Sequence, residues 1–206
     1  MSDAQKRSYE NLAPYFCIPP GETGDYETIF RNSGPVIIEI GFGSGIATAC
    51  IAEENPGINY LGIEVYRPGI GRLLWEIEKR DLKNIRIIQG DAAEILETLP
   101  FEAAEGFHIF FPDPWPKKRH HKRRLITRPF TNTLTRCLKK KGYVYMVTDW
   151  ADYADWALAE LSATPGLVNK YEGFAPPQTW RPKTRFEEKG LDKEHEIREL
   201  LFLRGE

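Results

Sequence analysis

Val36-Ile37-Ile38-Glu39-Ile40-Gly41-Phe42-Gly43-Ser44-Gly45 is a short apolar, β-branched run that stops at three alternating glycines and leads into a helical pattern. A strand, a glycine turn and a helix in that order open a parallel α/β sheet. The same rhythm continues downstream. Tyr60–Glu64, Ile85–Gln89, Phe107–Phe111 and Tyr143–Thr148 are further β-rich runs. Between them Ile70, Leu73, Leu74 and Ile77 follow helical spacing. So do Phe130, Leu134, Cys137 and Leu138, and Tyr153, Ala154, Ala157, Leu158 and Leu161. Pro68 and Pro129 suit first-turn positions, and Asp149 suits an N-cap. The expected fold is a parallel sheet covered on both faces. Leu167–Tyr171 is a candidate sixth strand, and Glu196–Leu203 a candidate strand that closes the sheet. Residues 1–34, with Pro19-Pro20-Gly21 and Gly34-Pro35, read as an N-terminal arm or irregular lead-in to a domain over residues 35–206.

The chain has 206 residues, 41% hydrophobic and 28% charged, which suits one globular domain. Its net charge of −2 requires any nucleic-acid partner to meet a local basic face. Cys17, Cys50 and Cys137 form no CxxC pair and leave an odd count, as expected of inert thiols in a reducing cytoplasm. Met1–Phe16 lacks the roughly 7–15-residue apolar core of a signal peptide. No apolar run approaches the roughly 20 residues of a membrane span.

Ligands of open α/β sheets bind beyond the carboxyl ends of the strands. Acids gather there. Glu39 precedes the glycines, Glu64 ends the second strand, Asp91 follows the third and Asp113 the fourth. Gly41 and Gly43 permit a tight turn and close backbone approach to a ligand. The spacing is GxGxG and not GxGxxG, which weakens the nicotinamide-dinucleotide reading. Glu64 is placed to accept both hydroxyls of a ribose. A pyrophosphate would be repelled by Glu39 and Asp113, whereas a sulfonium and an amino group would be attracted. The electrostatics therefore favour S-adenosylmethionine.

The fourth strand runs into Phe110-Phe111-Pro112-Asp113-Pro114-Trp115-Pro116, followed by six Lys or Arg and two His in the eight residues from Lys117 to Arg124. Prolines stiffen the turn around Asp113, Trp115 offers a ring to stack on a base or to pack in the core, and the cations suit phosphates. His120-His121 is not expected to hold a metal, because adjacent histidines diverge and no carboxylate or cysteine stands close in sequence. Arg181, Lys183 and Arg185, with Trp180 and Phe186, form a second basic-aromatic cluster.

Glu39–Gly45, Gly62–Val65, Gly90-Asp91-Ala92, Phe111–Arg124, Thr148-Asp149-Trp150 and Arg181–Glu187 together resemble the bacterial tRNA (guanine-N7)-methyltransferases, in that family's order and over roughly residues 36–203. The first three segments fit many class I methyltransferases; Phe111–Lys118 and Thr184–Glu187 are more specific. The resemblance implies a class I, Rossmann-like sheet of seven strands, mostly parallel with an antiparallel last strand. It implies cofactor contacts from Glu39, Gly41, Gly43, Glu64, Asp91, Ala92 and Asp113, with Asp113 also catalytic. Lys117, Asp149, Thr184, Arg185, Phe186 and Glu187 would contact substrate. Arg119, His120, His121, Lys122, Arg123 and Arg124 would contact tRNA. The implied reaction methylates guanine 46, in the tRNA variable loop, with S-adenosyl-L-homocysteine as product, no metal, and a monomer or homodimer as the working unit. The lead-in carries only Lys6, Arg7 and Arg31 as cations.

Two other functions are weighed. Exocyclic-amine methyltransferases place an Asp/Asn-Pro-Pro-aromatic turn after the fourth strand, and Asp113-Pro114-Trp115 lacks only the second proline. A non-catalytic RNA-binding scaffold would share the basic run, but would be weakened by four acids on its rim.

Overall fold

The structure is a computed structural model that describes residues 1–22, 24–182 and 196–206. Among the described residues the chain runs α1 (Asp3–Phe16), α2 (Tyr26–Phe30), β1 (Val36–Ile40), α3 (Ile46–Glu54), β2 (Asn59–Glu64), α4 (Arg67–Arg80), β3 (Ile85–Gln89), α5 (Ala92–Thr98) and β4 (Ala104–Phe110). A 3₁₀ turn over Lys118–Arg123 precedes α6 (Arg128–Cys137), β5 (Leu138–Thr148), α7 (Ala151–Ser162), β6 (Leu167–Asn169) and β7 (Arg198–Arg204).

The strands form one seven-stranded sheet in the order β3-β2-β1-β4-β5-β7-β6. Strands β1 to β5 are parallel, while β7 runs antiparallel to both β5 and β6. The expected seven-stranded sheet with an antiparallel last strand is what the chain forms. Strand β1 is buried at every position, as a strand covered on both faces must be. Its alternate side chains feed two cores. Ile38 and Ile40 join Phe107, Leu134, Tyr153 and Leu161, while Ile37 joins Tyr60, Ile70, Leu73 and Leu74. Pro68 and Pro129 sit in the first turns of α4 and α6. Ile70, Leu73, Leu74 and Ile77 are each no more than 2% exposed, and burial of such a side chain stabilises by roughly 1.5–3 kcal/mol.

Three expectations change. The lead-in is not irregular throughout. Ser2 and Gln5 form a capping box, with Ser2 N–H donating to Gln5 Oε1 at 2.9 Å and Gln5 N–H to Ser2 Oγ at 3.3 Å, and α1 docks on α4. Ser8 Oγ donates to Glu78 at 2.8 Å, and beyond the helix Ile18 N–H donates to Ile87 O at 2.8 Å, along the edge of β3. Second, β5 starts at Leu138 rather than Tyr143. The exposed Lys139–Lys141 hide its start, and a bulge against β4 interrupts the register. Third, Asp149 is not an N-cap. Helix α7 begins at Ala151, so the cap is Trp150, whose N–H donates to Thr148 Oγ1 at 3.2 Å.

The three cysteines are unpaired, and burial pushes the thiols of Cys17 and Cys137 up to about 11, which makes both poor nucleophiles. No helix among the described residues is long and apolar enough to cross a membrane.

Candidate active site

The strand order reverses between β1 and β4, so the crevice of the sheet opens at their carboxyl ends. The sequence puts Glu39 near the end of β1 and Asp113 three residues after β4. Glu64 ends β2, and Asp91 follows β3. The four acids thus lie along one edge of four adjacent parallel strands, a span of roughly 15 Å at ordinary strand spacing.

The glycine turn is shaped by the carboxylate beneath it. Gly43 N–H donates to Glu64 Oε2 at 2.8 Å, and Val65 and Tyr66 N–H both donate to Glu64 Oε1 at 2.8 Å. Gly43 has φ 58°, where a side chain would be strained, and a Cβ at Gly41 or Gly43 would meet nothing within 4 Å. The turn is therefore open on its outer side. Gly45 serves packing instead, since a Cβ there would lie 2.6 Å from that of Leu73 on α4. Gly69, also on α4, is a residue that sequence reasoning misses. Its Cβ would drive into the carbonyl oxygen of Gly43. The only signal for it is a second glycine-containing helix start after Pro68.

Glu39 is 2% exposed, and its Oε2 has no hydrogen-bond partner. Burial pushes its carboxyl up to about 7; the nearby Thr48 opposes the shift and the charge of Glu64 adds to it. The Thr48 hydroxyl makes no closed hydrogen bond either, so its help is proximity alone. A buried acceptor without a donor is costly until a donor arrives. Asp91 is exposed and caps α5, accepting from Ala93 N–H at 2.8 Å, with Ala92 half-buried beside it. This set of groups fits a ligand that brings an amino cation and ribose hydroxyls, as S-adenosylmethionine does.

The Asp113 turn is strained on both sides. Phe111 and Trp115 have φ 50° and 46°, each costing about 1–3 kcal/mol for a bulky residue. Asp113 itself is exposed. Trp115 is half-buried and is not part of the core; the Arg123 guanidinium lies 4.9 Å from its ring centre and the His120 ring 5.8 Å away, edge-on.

Lys117, Lys118, Arg119, Lys122 and Arg123 are exposed, as a phosphate-binding run requires. The two histidines part company: His120 meets Trp115, and His121 packs against Trp156 at 5.9 Å. Arg124, expected among the tRNA contacts, is turned inward with 1% of its side chain exposed. Tyr153 and Trp156 of α7 hold its guanidinium, each ring centre 5.1 Å away. A cavity of about 300 Å³ lies between Asp91 and the basic run, with Lys122, Arg123, Arg124, Thr127 and Phe130 in its lining.

Asp149 follows β5, the neighbour of β4, and so stands at the same edge of the sheet. Thr184, Arg185, Phe186 and Glu187, with Lys183, lie outside the described residues. Arg181, which the sequence groups with them, is buried. Its Nη2 pairs with Glu199 Oε1 at 3.2 Å and its Nε donates to Tyr145 Oη at 3.2 Å. Tyr145 Oη donates to Glu199 Oε2 at 2.6 Å, which also accepts from Gln178 N–H at 3.0 Å. The cluster fastens residues 178–181 to β5 and β7. Nothing in the spacing of Tyr145 and Glu199 announces it. His108 is likewise internal. Burial pushes its imidazole down to about 3, and Nε2 lies 2.9 Å from Tyr143 Oη.

Comparison with known proteins agrees with this geometry. Residues 33–200 match the family model described as "Putative methyltransferase". The chain is 48% identical, over 98% of its length and 89% of the relative's, to a tRNA (guanine-N(7)-)-methyltransferase of Nitrosospira multiformis. It is 45% identical, over 100% of its length and 92% of the relative's, to a protein of the same name in Treponema pallidum. Among solved structures it is similar to the 16S rRNA methyltransferase KamB, with TM-score 0.65 and 13% identity over 88% of this chain and 93% of that one. It is also similar to a 30S ribosomal A1408 methyltransferase from an uncultured bacterium, with TM-score 0.57 and 18% identity over 87% and 92%. At such identities the likeness concerns the fold alone.

Proposed function

The chain belongs to the tRNA (guanine-N7)-methyltransferase family, S-adenosylmethionine-dependent enzymes that methylate guanine N7 in tRNA, and from that premise we propose how its own residues perform the reaction. The observation that carries the reading is the acid rim on both sides of the sheet's switch point, with a buried and unpartnered Glu39 oxygen at its centre.

When bound, S-adenosylmethionine supplies an electrophilic methyl group on a positively charged sulfur and leaves as S-adenosyl-L-homocysteine. Glu39 would accept from its amino group, and Glu64 Oε2, which keeps acceptor capacity beside its bond from Gly43 N–H, would accept from the ribose. Gly41 and Gly43 leave room for it, and Asp91 and Ala92 border its base. Guanine N7 has an in-plane lone pair, so no proton need be removed. What remains for the protein is to hold N7 in line and to stabilise a positive charge that moves onto the base. Orientation alone contributes several kcal/mol, up to roughly 7–11 in the best models. Asp113 orients the guanine and stabilises its developing charge. Asp149, Lys117, Thr184, Arg185, Phe186 and Glu187 contact the nucleotide, and the exposed cations of the 117–123 run, with His120 and His121, hold the tRNA. The target is guanine 46 in the variable loop, and the enzyme works in the cytoplasm without a metal.

The test is incubation with unmodified tRNA and labelled S-adenosylmethionine, followed by borohydride–aniline cleavage, which cuts at N7-methylguanosine. The expected result is a single cut in the variable loop. Label incorporated without a cut indicates methylation at an atom other than N7, as exocyclic methylation would be, and no label indicates a scaffold.

A further inference from the structure

We infer that Arg124 is a positioning residue that fixes the turn bearing Asp113 and does not touch RNA. The inference rests on the placement of Asp113 at the reacting base proposed above. Arg124 closes a run of six cations, yet the other five are exposed and it is not. A guanidinium with 1% of its side chain exposed offers a phosphate little surface and releases few counterions. Two of its nitrogens are engaged inside the protein. Nε donates to Pro114 O at 3.0 Å, and Nη2 pairs with Asp152 Oδ2 on α7. The two rings that sandwich it are fixed in turn. Trp156 Nε1 donates to Ile126 O at 2.6 Å, and Tyr153 Oη accepts from Ile126 N–H at 3.2 Å.

This anchor matters because the Asp113 side chain has none of its own. Among the described residues, no hydrogen bond or ion pair reaches its side chain, so the turn's backbone decides where the carboxylate stands. Pro112 and Pro114 have no N–H to give. The turn is tied upstream by Phe111 N–H to Val147 O at 2.8 Å, and downstream by Arg124 to the Pro114 carbonyl. Phe111 and Trp115, at φ 50° and 46°, supply a reason to relax once either tie is cut. A shift of about 1 Å in a group beside the reaction lowers the rate by about 10²-fold.

The experiment is single-turnover methylation by Arg124→Lys and Arg124→Met at saturating tRNA and S-adenosylmethionine, normalised to cofactor-binding sites by calorimetry, beside Arg123→Met. Both Arg124 variants are expected to lose about 10²-fold in rate and to keep the wild-type tRNA dissociation constant and salt slope. Arg124→Lys keeps the higher thermal midpoint of the two, because its ammonium still pairs with Asp152, yet it does not regain the rate. Arg123→Met is expected to bind tRNA more weakly, with a log–log salt slope flatter by about 0.7–0.9. An Arg124→Lys rate within about tenfold of wild type, or a loss of tRNA affinity and slope like that of Arg123→Met, overturns the inference. A wild-type enzyme that forms no N7-methylguanine overturns the underlying reading, and this one with it.

Discussion

The backbone N–H of Gly43 donates to Glu64 Oε2 at 2.8 Å, and the carbonyl oxygen of the same glycine lies where a side chain on Gly69 would stand. The turn between β1 and α3 is thus clasped from two sides, by the end of β2 and by the start of α4. Gly69→Ala must push that turn outward or break its bond to Glu64. The expected outcome is a loss of S-adenosylmethionine affinity of at least about tenfold, beside a stability loss of about 1–3 kcal/mol for one overpacked contact. Calorimetric titration and urea denaturation measure the two separately.

Glu39 links cofactor binding to pH. Its carboxyl is pushed from 4.5 to about 7 by burial. Between those values the folded protein keeps a proton that the unfolded chain has lost, so the free protein loses stability as pH rises through that window. The cofactor's amino cation needs the ionised form. Affinity for S-adenosylmethionine should therefore rise by up to about tenfold per pH unit below 7 and level off above it. In Glu39→Gln both dependences should flatten, with weaker binding at pH 8 and a more stable free protein. Titrations at several pH values in wild type and Glu39→Gln check this. An equal pH response in the two would contradict it.

The exposed cations should act through counterion release. Replacing Arg119, Lys122 and Arg123 together by Ala is expected to flatten the log–log salt dependence of tRNA binding by about 2–3. The rate at saturating tRNA should fall far less than the affinity. Filter binding across a salt series gives the slope, and an unchanged slope would assign these side chains to solvent.

Arg181 and Glu199 are each under 10% exposed and paired at 3.2 Å. Arg181→Met leaves Glu199 buried against Tyr145 with its countercharge gone. Loss of one partner of a buried pair costs about 3–5 kcal/mol. Urea denaturation should show that loss, and Arg181→Met combined with Glu199→Gln should recover part of it. A single variant as stable as wild type would show that the pair is dispensable.

The fold was legible where hydrophobic period and glycine placement speak alone. The β1 run, the Ile70–Ile77 stripe and the first-turn prolines stand in the structure where the sequence put them. What stayed hidden depends on contacts between distant segments. Arg124 and Arg123 are neighbours of the same type, and only the Tyr153 and Trp156 rings of α7 send one inward and leave the other on the surface. Gly69 becomes necessary only when α4 meets the Gly43 turn. The Tyr145–Glu199–Arg181 cluster joins residues from three parts of the chain, each ordinary in its own segment. The acids of the rim were legible because parallel strands bring all their carboxyl ends to one edge, whatever the details of packing.

Single-turnover methylation by Asp113→Asn and Asp113→Ala, with tRNA and S-adenosylmethionine both saturating, tests the central claim most directly. The account predicts that both variants bind tRNA nearly as well as wild type and lose at least about 10²-fold in the rate of N7 methylation. Rates near wild type in both would contradict it.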